Sequence, residues 1–460
     1  MVSNMDVKHC DIQANLMQLI EALVELKWTD LPKEIQNKTS LIFADDLTAI
    51  VASNNEIELQ RFIAKLVASS GRPESTIFNN EYNRVDKYTA AFANGASANW
   101  CELDSGYLPA VCHAGIYCLP SVLAEGEAAG NSTEEMLCAF LFGYEVIARI
   151  ARTFSYEKLV LHPHGSLAAI GSALALGFLR KCSKEEIFEG VNTAATMVSP
   201  GPFKHAIEGG LVRNIWSGLG ASNGLRTMDL IGLGIAGTTT GLSDVFGEIF
   251  NAKVDARQLI PERKIKWAVL DSYHKKFACC QYSHSAVEAT QIALSKLSSN
   301  PKEIEIKSIG IKTHWRGKLL SNVSPKTTLA AKFSMEHILG TTVYHGASDV
   351  AAFHADTLEN SEIRKLREKV VISSYEQEPI WPNDRPALVT IEFCDGRSVS
   401  GECLLAEGST SRPFSQEQIK EKIANILSKT HPNLLTSLFS IISLNKSILG
   451  TKWSCLINSY

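Results

Sequence analysis

The chain has 460 residues, too many for one ordinary hydrophobic core, so its length predicts two domains. Hydrophobic residues make up 45% of the sequence and charged residues 20%, which is typical of a folded globular protein and not of a disordered or fibrous one. A net charge of −4 and the lack of a basic run argue against nucleic-acid binding and against a polybasic membrane anchor.

The chain also lacks the sequence features of a secreted or membrane protein. Its opening, MVSNMDVKHCDIQ, has no apolar stretch of the kind found in secretory signals. The longest apolar run, Leu167–Leu179, is shorter than the ~20 residues of a membrane span. Eleven cysteines without metal-like spacing fit reduced thiols. We therefore expect a cytoplasmic protein with neither a nucleic-acid nor a membrane partner.

Helical periodicity dominates the first 265 residues, where no convincing period-2 strand pattern occurs. The predicted helices are Asp11–Trp28, Leu31–Ser53, Ile57–Ser69, Tyr117–Glu127, Ser132–Thr153, Ser166–Arg180, Lys184–Val198 and Gly218–Leu230. Many of their faces consist of Gly, Ala and Ser. This part of the chain is predicted to form a large all-helical body.

Strand patterns begin near residue 300. Glu303–Thr313 alternates like a half-buried strand, and Ala387–Phe393 and Ser398–Leu404 flank the hairpin signal Asp395–Gly396. The remaining predicted helices are Lys326–Leu339, Ser361–Lys369, Pro413–Leu427 and Pro432–Ser443. The fold class is therefore mainly α, with an α+β domain inserted at roughly 270–405 into a helical domain made from both chain ends.

The stretch Ala91–Gly115, AFANGASANWCELDSGYLPAVCHAG, carries the densest set of candidate catalytic residues. Glu102, Asp104, Tyr107 and His113 lie within twelve positions of a segment that is otherwise small and nearly uncharged. Two carboxylates beside an imidazole supply the groups for general acid–base catalysis. The alternative is a tightly packed helix end whose acids cap the helix or pair locally.

Three later segments add imidazoles and cations. His162 and His164 precede a small-residue helix, at whose start an anionic ligand is favoured. Arg213 is a lone cation near the start of another such helix, where a guanidinium is suited to bind a carboxylate in bidentate fashion. A salt bridge to a neighbouring acid is the alternative. Lys275 and His284 lie in SYHKKFACCQYSHSAVEA, ahead of an amphipathic helix.

Together these segments resemble the MmgE/PrpD family, which includes dehydratases, decarboxylases and an epimerase of small carboxylates. The motifs are AAFANGASANWCELDSGY, CHAG, HPHGSLAAIGSALALG, VRNIWSGLGASNG, KKFACCQYSHSAVEA and SPKTTLAAKFS, in the family's order over residues 15–405. The resemblance implies a helical domain from residues 1–268 and 406–460, a smaller α+β lid domain at 269–405, and a homodimer.

Ten residues are candidates for the site. Those that the resemblance implies to be catalytic are Glu102, His113, His162, Lys275 and His284, and those that it implies to bind substrate are Asp104, Arg213 and Lys332. Tyr107 and His164 are candidate substrate-binding residues outside the family's pattern, and they point to a different ligand. The chain departs from the fuller family motif at Ser105 and Gly106, where the family has a second acid followed by a hydroxyl residue. This departure points to a different substrate.

The function that the resemblance implies is that of a lyase, a dehydratase or decarboxylase, acting on a small di- or tricarboxylate without metal or organic cofactor. Arg213, Lys275 and Lys332 are expected to hold carboxylates while a histidine moves a proton at the neighbouring carbon. An epimerase that uses the same proton abstraction is the first alternative. A non-catalytic family member is the second.

Three single motifs suggest competing interpretations, of which two stay open and one is rejected. Lys204 and His205 lie just before Arg213 and compete for its role. His113, His162 and His284 are sufficient in number for a three-histidine zinc site, but the chemistry implied by the resemblance requires no metal. The match to GxGxxG at 232–237 follows a predicted helix and not a strand, so a dinucleotide site is rejected.

Overall fold

The computed structural model describes residues 4–261, 265–297, 305–377 and 385–457, with the backbone alone for residues 4–10. Its helices are α1 (Asn4–Val24), α2 (Lys33–Ala52), α3 (Ile57–Ala68), α4 (Lys87–Ala98), α5 (Ala114–Ala129), α6 (Thr133–Thr153), α7 (Pro163–Leu179), α8 (Lys184–Ala195), α9 (Lys204–Glu208), α10 (Val212–Gly232), α11 (Gly241–Ser243), α12 (His284–Leu294), α13 (Trp315–Lys318), α14 (Thr328–Lys332), α15 (Met335–His345), α16 (Ala355–Glu359), α17 (Ser361–Glu368), α18 (Gln416–Leu427), α19 (Pro432–Ile442), α20 (Lys446–Gly450) and α21 (Trp453–Ile457). The predicted mainly helical fold is confirmed.

The strands are short, and the longer ones lie in the second half of the chain. They are β1 (Ser75–Thr76), β2 (Arg84–Val85), β3 (Gly106–Tyr107), β4 (Phe154–Ser155), β5 (Lys253–Val254), β6 (Ser272–Tyr273), β7 (Ile306–Thr313), β8 (Val370–Ser374), β9 (Ala387–Phe393) and β10 (Ser398–Cys403). The last four form one sheet in the order β10-β9-β7-β8, in which β7 pairs antiparallel with β9 and parallel with β8.

The hairpin between β9 and β10 follows from its turn sequence. Gly396 has φ +88°, a left-handed conformation that glycine adopts without steric cost, and the strands pair in register, with Val399 opposite Ile391. The predicted strand at Glu303–Thr313 corresponds to β7, and its first two residues lie outside the described part of the chain.

Several sequence-based boundaries differ from the structure. The helix predicted at Lys326–Leu339 is two helices, α14 and α15, because the chain turns at Phe333 and Ser334 caps α15 by accepting from the His337 amide. Helix α10 begins at Val212, six residues earlier than predicted, so Arg213 lies in its first turn. The helical body also contains two-residue strands, whereas the sequence analysis predicted an all-helical body.

Small residues allow the central helices to pack closely. A Cβ atom added to Gly220 of α10 would lie 2.4 Å from the Cβ of Ala168 on α7, and one added to Gly171 of α7 would lie 2.6 Å from the Cβ of Tyr117 on α5. Helices α4 and α10 approach in the same way through Gly95 and Gly218. These contacts bring the ends of α4, α5, α7 and α10 together.

The C-terminal helices return to the N-terminal half of the molecule. Helices α18 and α19 pack on α2, α20 packs on α6, and α21 packs on α5. Trp453 of α21 is fully buried, with its ring 6.0 Å from that of Phe43 on α2. The predicted division into a helical domain and an inserted lid remains a prediction. No helix among the described residues is long and apolar enough to cross a membrane.

Candidate active site

Four helix ends meet at one point in the helical body. Asn99 caps the C-terminus of α4, His113 precedes α5, His162 precedes α7, and Arg213 lies in the first turn of α10. Three of these ends are N-termini, whose unpaired amide groups favour a bound anion. The small-residue packing of the helices is therefore what brings residues 99 to 213 into one site.

A buried cluster of charged side chains lies where these ends meet. Arg213 Nη1 lies 2.6 Å from Glu102 Oε1, and Lys275 Nζ lies 2.9 Å from Glu102 Oε2 and 3.0 Å from Asp104 Oδ1. All four residues are at most 2% exposed. Since the two cations face two carboxylates, the side-chain charges of the cluster balance.

The cluster keeps its members ionised. Burial alone would raise the pKa of Glu102, but Arg213 and Lys275 outweigh it and lower that pKa. Burial likewise acts against the ionised form of Asp104, whose pKa is nevertheless held well below its ordinary value by Lys275 and His113. The pKa of Lys275 is raised by the same two acids despite its burial. Both carboxylates are therefore poor proton acceptors.

His113 is oriented by two acceptors on one ring nitrogen. Its Nδ1 lies 2.6 Å from Asp104 Oδ2 and 3.2 Å from the carbonyl oxygen of Ser105, so we assign the hydrogen to Nδ1. Ser105 is itself held by Asp46, which accepts from the Ser105 amide at 2.6 Å and from its hydroxyl at 3.0 Å. In the neutral imidazole, Nε2 is then an unprotonated acceptor.

His162 is held in a different way. Arg213 Nε donates to His162 Nε2 over 3.1 Å, while the His164 amide approaches Nδ1 at 3.3 Å. A neutral imidazole has one acceptor nitrogen, and the shorter contact assigns it to Nε2. Burial, then the positive charge of Arg213, keep the pKa of His162 well below its ordinary value. His162 is therefore a neutral acceptor that fixes the Arg213 guanidinium.

His164 lies behind His113 and His162. Its ring centroid is 4.9 Å from that of His113 and 4.5 Å from that of His162. The Tyr117 hydroxyl contacts Nδ1 at 3.0 Å, and Nε2 is buried without a hydrogen-bond partner among the described residues. His164 does not line the cavity described below.

Two further predicted residues also lie away from the cavity. His284 Nε2 contacts the carbonyl oxygen of Cys279 at 3.2 Å, and burial followed by the charge of Lys275 lowers its pKa to about 3. The Lys332 ammonium lies 3.3 Å from Glu56 Oε1 and donates to the carbonyl oxygen of Trp100 at 3.0 Å. The roles predicted for His284 and Lys332 remain predictions.

The cavity at the helix ends consists of two adjoining chambers. The inner chamber has a volume of about 40 Å³ and contains six of the ten predicted residues, Glu102, Tyr107, His113, His162, Arg213 and Lys275. The outer chamber has a volume of about 280 Å³. The two share part of their lining, including Tyr282 and Arg385. Asp104 lies behind His113 and Lys275 and does not line either chamber.

The inner chamber also contains residues that the sequence did not single out. Tyr273 packs against Gly106, where a Cβ atom would lie 2.2 Å from the ring. Arg385 lies with its guanidinium carbon 5.9 Å from the Tyr273 ring centroid and 5.3 Å from that of Tyr282. Tyr282 belongs to the KKFACCQYSHSAVEA motif, so the sequence gives some indication that it lies at the site. No such motif surrounds Arg385.

Two of the competing interpretations can be compared with the structure. Within the described ranges, no group of three or more His, Cys, Asp or Glu side chains is arranged to hold a metal ion. The GxGxxG match begins at the last residue of α10, Gly232, and so follows a helix.

Comparison with known proteins identifies relatives over most of the chain. The MmgE/PrpD N-terminal domain matches residues 17–250, and the MmgE/PrpD C-terminal domain matches residues 277–438. The chain is 23% identical over 381 residues to cis-aconitate decarboxylase of Homo sapiens, covering 78% of this chain and 76% of that protein. It is also 23% identical over 380 residues to cis-aconitate decarboxylase of Mus musculus, with the same coverage of 78% and 76%.

Proposed function

The chain belongs to the MmgE/PrpD family, and on that premise we propose that it is a lyase that removes water or carbon dioxide from a small di- or tricarboxylate. The observation that carries the proposal is the Asp104–His113 pair beside two buried cations at a cavity. The names of the two relatives support a decarboxylase or a related lyase. As the family resemblance implies, the reaction is proposed to need no cofactor.

Binding of the reacting carboxylate is proposed at Arg213 and Lys275. Both cations line the inner chamber, and both are held in place by Glu102. The N-termini of α5, α7 and α10 add their partial positive charge at the same point. A carboxylate bound there would also have its developing negative charge stabilised when the neighbouring carbon becomes carbanionic.

Proton transfer is proposed at His113 Nε2, because Nδ1 is committed to Asp104. In a dehydration, Nε2 removes the proton next to the carboxylate, the C–H electron pair forms the alkene, and the C–O bond breaks. The imidazolium then returns the proton to the departing hydroxide as water. In a decarboxylation, His113 enters the reaction as the imidazolium, with a second hydrogen taken from water onto Nε2. The C–C bond breaks, carbon dioxide leaves, the electron pair remains on the substrate carbon, and Nε2 gives its hydrogen to that carbon, which leaves the neutral imidazole.

The other predicted catalytic residues are proposed to act through these groups. Glu102 has a lowered pKa and a left-handed backbone, φ +53°, which fits a fixed carboxylate that aligns Arg213 and Lys275. His162 is proposed to fix the orientation of Arg213. Asp104 is proposed to hold the Nδ1–H tautomer of His113, which keeps Nε2 available for the substrate.

The lyase is favoured over the epimerase for a specific reason. An epimerase that works through opposed bases needs a second proton acceptor across the substrate from His113. Among the described residues that line the inner chamber, His162 is the second histidine besides His113. Its Nε2 already accepts a hydrogen bond from Arg213, so it is not available as the second proton acceptor. The complete Asp104–His113 pair argues against a non-catalytic protein. The homodimer implied by the family remains a prediction that light scattering would test.

The proposal is tested by proton NMR in D₂O with cis-aconitate, citrate, 2-methylcitrate and substituted succinates. We expect an alkene or decarboxylated product from the wild-type protein and a loss of about 10²–10⁴-fold in rate for His113→Gln. His354→Gln, at an exposed histidine, is the matched control and should keep the wild-type rate. Deuterium uptake without net product would favour the epimerase. Full activity in His113→Gln would refute the assigned base.

A further inference from the structure

Two adjacent acids on helix α2, Asp45 and Asp46, are fully buried but have different partners. Asp45 lies 2.7 Å from His274 Nδ1 and 2.6 Å from Lys422 Nζ. Asp46 contacts the active-site segment itself, because its side chain accepts from the Ser105 amide at 2.6 Å and from the Ser105 hydroxyl at 3.0 Å. The proposed mechanism gives Asp46 no role.

The peptide group that Asp46 holds lies between the two acceptors of His113. It joins Asp104 to Ser105, since its N–H belongs to Ser105. On one side of it the Asp104 carboxylate lies 2.6 Å from His113 Nδ1, and on the other the Ser105 carbonyl oxygen lies 3.2 Å from the same nitrogen. A shift of this peptide group would therefore move both acceptors and turn the imidazole.

Gly115 leaves the space that the Asp46 carboxyl group occupies. A Cβ atom added to Gly115 would lie 1.9 Å from Asp46 Oδ2 and 3.1 Å from Ser105 Oγ. Gly115 is the second residue of α5, the helix that His113 precedes. Asp46 therefore contacts the chain on both sides of His113, at Ser105 before it and at Gly115 after it.

The contact does not depend on a negative charge on Asp46. Burial, then the charge of Asp45, raise the pKa of Asp46 well above its ordinary value and outweigh the hydrogen bonds from Ser105. Asp46 thus supplies a pair of hydrogen bonds and a shape, which asparagine can supply as well. The asparagine amide accepts through its oxygen and donates through its nitrogen, and a serine hydroxyl can accept as well as donate.

We propose that Asp46 is a positioning residue of the proposed reaction. Through Ser105 it holds both acceptors of His113 Nδ1, and so it fixes the direction of His113 Nε2. Position 105, where serine replaces the second acid of the family motif, is thus contacted by a carboxyl group from another helix. This role rests on the proposed function, because it presumes that His113 transfers the proton.

The nitrogen chemical shifts of the His113 ring test the contact without any substrate. In protein labelled with ¹⁵N-histidine, these signals are assigned by their loss in His113→Gln. We expect wild-type protein and Asp46→Asn to show the same Nδ1–H tautomer, and Asp46→Leu to show both tautomers, because the acceptors of Nδ1 are no longer held. Thr48→Val is the matched control, since the buried Thr48 hydroxyl bonds to the Ala44 carbonyl oxygen within the same helix.

Steady-state kinetics on the substrate found by NMR tests the consequence for the reaction. Asp46→Leu should lower kcat by about 10–10²-fold, the effect of a misplacement of about 1 Å, with a smaller change in KM. Asp46→Asn and Thr48→Val should keep the wild-type kcat. If Asp46→Leu does not fold, Ser105→Ala removes the hydroxyl contact alone and should lower kcat about fivefold, the factor that corresponds to one hydrogen bond.

The outcomes separate the positioning role from the proposed function. An unchanged tautomer or an unchanged kcat in Asp46→Leu, or in Ser105→Ala where that variant replaces it, would overturn the positioning role alone. An equal loss of kcat in Asp46→Asn and Asp46→Leu would overturn it too, because the charge and not the hydrogen bonds would then matter. A wild-type protein that acts on none of the carboxylates, but whose tautomer changes in Asp46→Leu, would refute the proposed function and leave the contact between Asp46 and the His113 acceptors supported.

Discussion

At the scale of single residues, the hydrogen bond between Asp104 and His113 determines which imidazole nitrogen is left to move a proton in the proposed reaction. Asp104 Oδ2 lies 2.6 Å from Nδ1 and also faces a cluster that keeps Asp104 ionised. An ionised carboxylate accepts only, so it selects one tautomer. Asparagine has nearly the same shape but presents an amide that both donates and accepts.

We therefore expect Asp104→Asn to lower kcat by about 10²-fold, near the lower end of the range for general acid–base catalysis, with a smaller change in KM. Steady-state kinetics on the substrate found by NMR measures both constants. Asp356→Asn, at an exposed aspartate in the first turn of α16, is the control and should match wild type. Unchanged kcat in Asp104→Asn would mean that the tautomer is fixed by the Ser105 carbonyl instead.

Arg213 gives a second prediction at this scale. Its Nε donates to His162, and its Nη1 donates to Asn99 Oδ1 over 2.8 Å. Lysine keeps the charge but loses this planar set of donors. Arg213→Lys should raise KM about tenfold and change kcat less, since lysine keeps the charge that is proposed to stabilise the carbanionic carbon but loses the donors that hold the carboxylate in the ground state. Arg226→Lys on the same helix is the control.

The sequence analysis identified the residue types of the candidate site but not the direction in which each side chain points. His113 and His284 both lie near helix starts in Cys-containing segments, yet one lines the inner chamber and the other contacts the Cys279 carbonyl. Lys332 and Lys275 are likewise both buried, but Lys332 pairs with Glu56. Neighbours distant in sequence decide these orientations, and no local pattern encodes them.

At the scale of helices, the contact between α4 and α10 positions two residues of the site. A Cβ atom on Gly218 would lie 2.1 Å from the carbonyl oxygen of Phe92 and 2.8 Å from the amide of Ala96. Both are backbone atoms of α4, so relief requires movement of a whole helix. Such a movement would displace Asn99 and Arg213 relative to each other.

Gly218→Ala should therefore destabilise the protein by about 1–3 kcal/mol, the usual effect of overpacking, and should also reduce activity. Thermal unfolding and the NMR assay measure the two effects. Gly232→Ala lies on the same helix with no atom within 4 Å of the added Cβ, so it should be neutral or slightly stabilising. Equal stability of the two variants would show that α10 shifts without cost.

Predictions of whole elements succeeded where the periodicity is strong. Helix α6 and the hairpin of β9 and β10 lie within one residue of their predicted bounds. The sequence analysis did not predict strand β8. This strand lies at the edge of the sheet and lacks a regular alternation of buried and exposed residues. The break between α14 and α15 depends on the cap at Ser334, which competes with an apolar sequence that reads as continuous helix.

At the scale of the whole molecule, burial of neutral imidazoles makes stability depend on pH. The histidines whose pKa is lowered, chiefly by burial, are His162, His164, His274, His284, His314, His337 and His431. For His274 and His314 the pKa falls from 6.5 to about 4. Between those values the unfolded chain binds more protons than the folded one.

The free energy of unfolding should therefore fall as the pH drops from 7 towards 4. Each such histidine contributes up to about 1.4 kcal/mol per pH unit. Asp46, Glu127 and Glu145, whose pKa values are raised by burial, act in the opposite direction but are fewer. We expect the melting temperature at pH 5 to be lower than at pH 7 by about 5 °C or more. An equal or higher melting temperature at pH 5 would contradict the neutral state of these imidazoles.

The linings of the two chambers overlap but are not the same. Arg385, just before strand β9, lines both chambers, whereas Arg316, which follows strand β7, lines the outer chamber alone. A substitution at residue 316 can therefore change the outer chamber while Asp104, His113 and Lys275 keep their positions. A library of variants at this single position is a direct experimental route to an altered substrate preference.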